Sequence, residues 1–478
     1  MRLVAGVLAA AALGLAACSG TATPPPSSQA PSSEPPSQQA PSSTASPAPS
    51  GAAPPALTGW TTYHGDGART GFVARTSPVT ALRVVRTTPL DGAVYAQPVV
   101  APGPGGQVTI AATENDTVYG LRDGRTVWRT RLGSPVPRSA LPCGNIDPLG
   151  ITGTPVVDEA AGVVYVAAEL DDPIRHELVA LDTRTGAVRW RRSVDPPGAQ
   201  PRYEQQRAAL AIAGGRVWVA LGGLFGDCGP YLGKVVGVRT DGKGGLAVHQ
   251  VPTTREAGIW APSGPAVGPQ GHLFVAVGNG EATSGAWDGS DSILELDTSA
   301  RVVSSFAPSD WAQENAQDLD LGSMGPLLLP RGLVVASGKG GDVYVLRQGD
   351  LGGIGRPLAH TSGCAAYGGS AAAAGEGGRA VAFLPCRDGV AAFRIAPSGT
   401  IAKVWQADGV AGSPVVAGST VLAIDQDGGR LVALDAGTGQ QRASVDVGEL
   451  SRFATPMVSG STAVLGTMTG IAEIALTP

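Results

Sequence analysis

The chain has 478 residues, of which 43% are hydrophobic and 5% aromatic, and its formal net charge is −5 at pH 7. This length and apolar content support a large core, whereas the negative charge and the lack of a basic run argue against nucleic-acid binding. The 69 glycines and 39 prolines predict many short strands and turns.

The first 17 residues have the layout of a cleaved export signal, with one positive charge at Arg2, an apolar run, and small residues before Cys18. The run Leu-Ala-Ala-Cys that ends at Cys18 resembles the bacterial lipobox. Residues 1–17 are therefore predicted to be a lipoprotein signal peptide, and Cys18 the lipidated first residue of the mature chain. Ordinary signal cleavage beside an unmodified cysteine is the alternative.

Residues 18–56 are rich in proline and serine and cannot bury enough apolar surface to offset the entropy of ordering. We predict that this segment is a disordered linker. Together with the lipid anchor, it would hold an extracytoplasmic domain at a membrane surface.

From residue 57 to residue 478, a unit with four short apolar strands recurs about every 40 to 50 residues. Its clearest copy, 150–194, predicts strands at 154–158, 163–168, 177–182 and 187–191. Weaker copies begin near residues 95, 207, 259, 322, 363 and 410. Residues 81–90 supply one further strand and 453–476 supply three, so joining these ends closes a ring of eight. We predict an all-β, eight-bladed β-propeller of four-stranded antiparallel blades.

The fourth strand ends in tryptophan in three copies, at Trp128, Trp190 and Trp405. The pattern ALDxxTGxxxW resembles the quinoprotein-type repeat, which is named after pyrroloquinoline quinone (PQQ). The resemblance implies that each tryptophan docks between neighbouring blades and that Thr-Gly makes a turn. Because such repeats occur both in PQQ dehydrogenases and in non-catalytic scaffolds, the resemblance implies the fold and leaves the activity open.

Three segments resemble the sites that hold the metal and the quinone in PQQ dehydrogenases such as methanol dehydrogenase. VGNGEATSGAWDGSD places Asn279 at the metal-binding Asn. NAQDLDLGS places Asp318 at the catalytic base and Asp320 at an additional acidic position, with Gln317 in place of a Trp. SGKGGDVYVL places Lys339 at the basic residue near the quinone. An Asn and two carboxylates are oxygen ligands of the kind that calcium prefers.

Other features weaken the dehydrogenase interpretation. The vicinal cysteine pair of those enzymes is missing, and we find no match to their metal-binding Glu. An exposed Asp-x-Asp between strands is commonly a turn. Glu281 could add an oxygen but has no counterpart in the family. The five histidines lack ligand spacing and are predicted to be surface or loop residues.

Four cysteines besides Cys18 predict two disulfides in an exported chain, with three possible pairings of Cys143, Cys228, Cys364 and Cys386. Cys364 and Cys386 fall in one repeat, which favours their pairing. The segments around Cys143 and Cys228 resemble those of a subgroup of extracytoplasmic quinoprotein-repeat proteins without assigned activity. In that subgroup the two segments occur together, and this resemblance implies that Cys143 pairs with Cys228.

Our leading hypothesis is a monomeric, membrane-tethered, non-catalytic propeller without a cofactor, whose loop face binds an envelope protein, a glycan or a small ligand. The alternative is a PQQ- and calcium-dependent dehydrogenase that uses Asn279, Asp318, Asp320 and Lys339, and convergence of these side chains on one cavity would favour it. A further alternative is an outer-membrane protein assembly lipoprotein, because the assembly lipoprotein of diderm bacteria has an eight-bladed propeller of this repeat type.

Overall fold

The computed structural model describes residues 59–103 and 105–478. These residues form eight blades of four antiparallel strands arranged in a ring, so the predicted eight-bladed β-propeller is confirmed. Three blades also pair with one further strand of two residues, Phe72–Val73, Glu204–Gln205 or Gly353–Ile354. The predicted signal peptide, the lipidated Cys18 and the 18–56 linker lie outside the described residues. No helix in the described part of the chain is long and apolar enough to cross a membrane.

The strands in chain order are β1 (Phe72–Val73), β2 (Ala81–Pro89), β3 (Val99–Gly103), β4 (Gly106–Ala112), β5 (Thr117–Arg122), β6 (Arg125–Arg131), β7 (Val156–Asp158), β8 (Val163–Leu170), β9 (Arg175–Asp182), β10 (Val188–Ser193), β11 (Glu204–Gln205), β12 (Ala211–Ala213), β13 (Arg216–Gly223), β14 (Lys234–Arg239), β15 (Ala247–Gln250), β16 (Ala266–Val267), β17 (Leu273–Val277), β18 (Ser292–Leu296), β19 (Val302–Ala307), β20 (Leu327–Leu329), β21 (Leu333–Ser337), β22 (Asp342–Arg347), β23 (Gly353–Ile354), β24 (Ala359–Ser362), β25 (Ala371–Ala374), β26 (Ala380–Cys386), β27 (Gly389–Ile395), β28 (Ile401–Asp408), β29 (Val415–Ala417), β30 (Thr420–Asp425), β31 (Arg430–Asp435), β32 (Gln441–Asp446), β33 (Met457–Ser459), β34 (Thr462–Thr467) and β35 (Gly470–Thr477). One α-helix, α1 (Trp311–Gln317), occurs among the described residues. Short 3₁₀ turns lie at Tyr63–Gly65, Arg138–Ala140, Pro201–Tyr203, Leu321–Ser323, Pro330–Gly332 and Glu376–Gly378.

Blades 1 and 2 consist of β3–β6 and β7–β10, and blades 3 and 4 are built on β12–β15 and β16–β19. Blade 5 combines β20–β22 with β24, and blades 6 and 7 are built on β25–β28 and β29–β32. Blade 8 joins the two ends of the domain: β2 pairs antiparallel with β35, with Ala81 opposite Thr477 and Pro89 opposite Gly470. The mixed blade that the sequence predicted therefore closes the ring.

The apolar core lies between the faces of adjacent blades. All eight residues of β8 are buried, whereas β10, the fourth strand of the same blade, has alternating exposure. One apolar cluster combines Val99 and Ile110 of blade 1 with Val164 and Val166 of blade 2. Second and third strands are thus covered on both faces, which explains their continuous apolar runs.

The three tryptophans lie between neighbouring blades. Trp128 at the end of blade 1 donates its Nε1 hydrogen to the Thr183 carbonyl of blade 2, at 2.9 Å. Its ring lies against Gly186, where a Cβ would be 2.4 Å from a ring carbon, and the φ of Gly186 is 71°. A glycine is required there by both the turn and the ring. Trp190 and Trp405 pack in the same way against Gly242 and Gly439.

The segment 60–73 fills the axis of the ring, a role that the sequence analysis did not assign to it. Its carbonyl groups accept hydrogen bonds of 2.7–3.0 Å from backbone N–H groups in the first strands of six blades. The donor and acceptor pairs are Val100 to Trp60, Val157 to Thr61, Val267 to Gly67, Leu328 to Ala68, Ala372 to Thr70, and Val416 to Gly71. The chain itself therefore closes the axis at this level.

Two buried side chains fasten this axial segment. The Arg69 guanidinium donates to Thr62 Oγ1 and to the carbonyls of Tyr63, Leu210 and Pro265, at 2.7–3.1 Å. His64 is 1% exposed, and its ring nitrogens lie 2.9 Å from the Ser370 carbonyl and 3.1 Å from Thr455 Oγ1. Burial lowers the pKa of His64 to about 3, so its imidazole is neutral. The expectation of surface histidines is wrong here.

One face of the ring, here called the loop face, carries the loops between second and third strands and the connections from blade to blade. Both disulfides lie on it and join the pairs that the sequence analysis favoured. Cys143, between blades 1 and 2, is bonded to Cys228 of blade 3, and Cys364, between blades 5 and 6, is bonded to Cys386 of blade 6. Two disulfides indicate folding in an oxidising compartment.

Candidate functional site

Three loops of blades 4 and 5 bring Asn279, Asp318, Asp320 and Lys339 together on the loop face. Asn279 lies between β17 and β18, and Lys339 lies between β21 and β22. Asp318 and Asp320 lie in the connection from β19 to β20. All these segments open on the same face because the strands within a blade are antiparallel. Residues from separate copies of the repeat can therefore meet.

The Lys339 ammonium links the two carboxylates. Its Nζ lies 2.6 Å from Asp318 Oδ1 and 2.5 Å from Asp320 Oδ2. Asn279 donates its side-chain amide to Asp318 Oδ1, at 2.8 Å, and its backbone N–H to Asp320 Oδ1, at 2.7 Å. The four side chains thus form one hydrogen-bonded cluster. Glu281 instead accepts a hydrogen bond from Thr254 Oγ1, at 2.7 Å.

Local backbone conformation brings the Asp318 and Asp320 carboxylates close to Asn279. Asp318 caps the C-terminal end of helix α1 in a left-handed conformation with a φ of 56°, and its backbone N–H donates to the Glu314 carbonyl. Aspartate tolerates this conformation better than most residues. A Cβ at Gly278 would lie 2.3 Å from Asp320 Oδ1 and 3.1 Å from Trp260 Nε1. The glycine before Asn279 therefore lets Asp320 approach the backbone.

Burial and charge divide the cluster into an exposed and a buried carboxylate. The Asp318 side chain is 75% exposed, whereas that of Asp320 is 10% exposed. Burial raises the pKa of Asp320, although Lys339 opposes this effect. Burial also raises the pKa of the neighbouring Asp291 to about 9, with a smaller contribution from Asp320. Burial lowers the pKa of Lys339, but the two aspartates overcome this and raise it above its usual value.

The oxygens of this cluster match those that bind calcium, but their arrangement does not fit the ion. Asn279 Oδ1 is buried without a hydrogen-bond partner and could act as a ligand. The Lys339 Nζ, however, takes the position between the two carboxylates that a cation would need. As arranged, the aspartates bind an ammonium group, and a metal ion would have to displace it.

An aromatic and arginine cluster lies beside this site. The Arg207 guanidinium carbon is 5.7 Å from the ring centroid of Trp260 and 5.4 Å from that of Phe453, at distances typical of cation–π contacts. The Trp260 and Phe453 centroids are 6.3 Å apart. A planar cofactor placed against this side of the Trp260 ring would have to displace Arg207 and Phe453. The residues present therefore do not fit PQQ with calcium in this arrangement.

A pocket of ≈ 250 Å³ opens on the loop face next to Phe453. Blades 6, 7 and 8 contribute to its wall, which includes Tyr367, Arg387, Asp427, Arg452 and Phe453. The Arg452 guanidinium lies 4.7 Å from the Tyr367 ring centroid. The wall combines hydrogen-bond donors, acceptors and aromatic rings, which suits a small polar ligand.

The cluster of Arg207, Trp260 and Phe453 was not predicted from the sequence, because these residues belong to no motif. A positional signal was present nevertheless. Arg207, Trp260 and Phe453 each precede an alanine just before the first strand of a blade, in RAAL, WAPS and FATP. Alignment of the copies at this position would have identified the three residues as occupying equivalent places in their repeats.

Comparison with known proteins supports the repeat type. A family model described as "Outer membrane protein assembly factor BamB" matches residues 86–258. No curated protein matches the chain. Among solved structures, quinohemoprotein alcohol dehydrogenase ADHIIG from Pseudomonas putida HK5 and quinohemoprotein alcohol dehydrogenase from Comamonas testosteroni are each 15% identical, with a TM-score of 0.63. Each of these alignments covers 87% of this chain and 80% of the other.

BamB from Moraxella catarrhalis is 16% identical, with a TM-score of 0.54. Its alignment covers 83% of this chain and 98% of that one. At such identities the structural similarity shows the fold and leaves the activity of this chain open. Together with the family match, it confirms the predicted repeat type.

Proposed function

Because this chain is a β-propeller of PQQ-type repeats, we propose that it is a non-catalytic binding module of the cell envelope. A lipidated Cys18 and the 18–56 linker tether the propeller outside the cytoplasm. The loop face then presents the pocket beside Phe453 to a glycan unit of the envelope.

The pocket wall is the observation that carries this proposal. Arg387 and Arg452 supply hydrogen-bond donors, Asp427 supplies acceptors, and Tyr367 and Phe453 supply aromatic surface. Cys386, which also lines the pocket, is bonded to Cys364. A pocket with a cross-linked wall costs less entropy to order when a ligand binds.

Calorimetric titration of the full-length chain with a panel of envelope saccharides tests this proposal. We expect saturable binding of one class of saccharide, and a loss of about 10-fold or more in affinity in Arg387→Ala and Asp427→Ala, because a hydrogen bond to a charged group contributes roughly 1.5–3 kcal/mol. Arg394→Ala, an exposed arginine on β27 outside the pocket wall, is the matched control. Absence of binding by the folded chain across the panel would refute the glycan assignment.

The tether is tested separately by cell fractionation. We expect the wild type in the membrane fraction and Cys18→Ala in the soluble extracytoplasmic fraction. Equal membrane association of both forms would contradict the lipid anchor.

A PQQ- and calcium-dependent dehydrogenase is the second candidate, favoured by the convergence of Asn279, Asp318, Asp320 and Lys339 and by the two alcohol dehydrogenases of similar fold. The position of the Lys339 ammonium opposes it. Calorimetric titration with PQQ and calcium, comparing the wild type with Asp318→Ala, decides between them. Saturable binding to the wild type that is abolished in Asp318→Ala would favour the dehydrogenase over the binding module.

A role in outer-membrane protein assembly is the third candidate, favoured by the match of residues 86–258 and by the similarity to BamB. A pull-down from envelope extracts with the full-length chain tests it. Recovery of barrel-assembly components would move this candidate to first place, and their absence would leave the binding module.

A further inference from the structure

A second group of charged side chains is buried on the loop face of blades 2 and 3, and the site described above uses none of them. Glu169 lies near the end of β8, and His176 lies near the start of β9. Asp195 follows β10, and Glu204 lies in β11, which pairs with β13 of blade 3. The side chains of His176, Asp195 and Glu204 are 0%, 13% and 1% exposed.

Three atoms with metal-binding chemistry converge within this group. A His176 ring nitrogen, an Asp195 oxygen and a Glu204 oxygen lie within 4.8 Å of one another. His176 Nδ1 is 2.7 Å from Asp195 Oδ1. Glu204 Oε2 is buried and has no hydrogen-bond partner. An unpaired buried carboxylate oxygen is costly, and a cation bound between Glu204, the histidine and the second carboxylate would remove that cost.

The other polar atoms of the same three residues are held by their surroundings. Asp195 Oδ2 accepts the backbone N–H of His176, at 2.8 Å, and Glu204 Oε1 accepts a hydrogen bond from Lys234 Nζ, at 2.5 Å. His176 Nε2 faces Glu169 Oε2, at 3.4 Å. In metal sites the second ring nitrogen of a histidine ligand commonly faces a carboxylate, which orients the ring.

The local charge is consistent with a divalent ion. The carboxylates of Glu169, Asp195 and Glu204 carry three negative charges, and the Lys234 ammonium carries one positive charge. Burial lowers the pKa of His176, but Glu169 and Asp195 overcome this effect and raise the pKa well above its usual value, so the imidazole carries a second positive charge. When a metal ion replaces the Nδ1 proton, the imidazole becomes neutral and the group has a net charge of −2. Buried charge of this size needs compensation, which a divalent cation would supply in full.

We propose that His176 Nδ1, Asp195 and Glu204 bind a divalent first-row transition metal ion, and that Glu169 acts as a positioning residue for His176. One imidazole and two carboxylates form a ligand set that suits zinc. The metal replaces the Nδ1 proton of the doubly protonated imidazole, which is released to solvent, and the neutral imidazole keeps its Nε2 proton facing Glu169. The ion links the loops of blade 2 to β11 at the edge of blade 3.

Zinc titration of the chelator-treated full-length chain tests this proposal. We expect one equivalent of Zn²⁺ to bind with release of a proton, measured by calorimetry in two buffers of different ionisation enthalpy. Asp195→Asn and Glu204→Gln should abolish binding. Glu169→Gln should weaken it by about 10- to 100-fold. Asp388→Asn, an exposed carboxylate elsewhere on the loop face, is the matched control and should bind as the wild type does.

Glu204→Gln leaves the buried Lys234 without a charged partner. If this variant does not fold, Asp195→Asn is the test of metal binding. The NMR signals of the His176 imidazole in the wild type give a second measurement, and they should shift on addition of one equivalent of zinc. Lack of saturable zinc binding by the folded wild type overturns the proposal. Zinc binding that persists unchanged in Asp195→Asn also overturns it.

Discussion

Replacement of Lys339 by methionine tests the electrostatic account of the candidate site. The substitution keeps most of the side-chain volume and removes the ammonium that lies 2.5 Å from the buried Asp320. Loss of one partner of a buried ion pair costs about 3–5 kcal/mol. Asp318 is 75% exposed and adds little to this cost. We expect the free energy of unfolding at pH 7 to fall by about 3 kcal/mol, at the lower end of that range.

Urea denaturation at two pH values gives the decisive measurement. Without the ammonium, the pKa of Asp320 in the folded protein rises further above its value in the unfolded chain. A carboxyl group with a raised folded pKa favours folding less as pH rises through the interval between the two values. The loss in Lys339→Met should therefore shrink as pH falls from 7 towards about 4. Lys339→Met combined with Asp320→Asn should recover part of the stability. A loss below about 1 kcal/mol, or an equal loss at both pH values, would refute this reasoning.

Three further predictions concern the blades and the axis. Trp128→Ala should lower the free energy of unfolding by about 3–5 kcal/mol in urea, because it empties the space over Gly186; a change below about 1 kcal/mol would contradict the docking role. Arg69→Met leaves buried carbonyls without donors and should cost about 3 kcal/mol or more, with faster amide exchange in the first strands; unchanged exchange would count against the axial role. His64, whose folded pKa is lowered to about 3, makes stability fall as pH drops below about 6.5, and His64→Gln should flatten this dependence in urea titrations from pH 7 to pH 4; an unaltered slope would assign the effect to other groups.

The repeat pattern was sufficient to predict the blades. Each copy contains its own apolar strands, its own turns and, in three cases, its own tryptophan, so the evidence is local to each segment of about 40 residues. The mixed eighth blade followed from counting, because one strand before the first copy and three after the last complete a four-stranded sheet. The positions of Asn279, Asp318, Asp320 and Lys339 also came from local motifs, in loops of blades 4 and 5 and in the connection between these blades.

The relations among distant segments were decided only by the tertiary structure. The segment 60–73 has no strand pattern, because its partners are N–H groups on six different blades that closure of the ring brings together. The Lys339 ammonium between two aspartates depends on side-chain placement, which a motif does not encode. His176 was expected at the surface and is fully buried, since Glu169, Asp195 and Glu204 reach it from three other segments. Local sequence thus determines the repeating unit, while contacts across the ring determine what the axis and the loop face contain, because their energies depend on residues far apart in the chain.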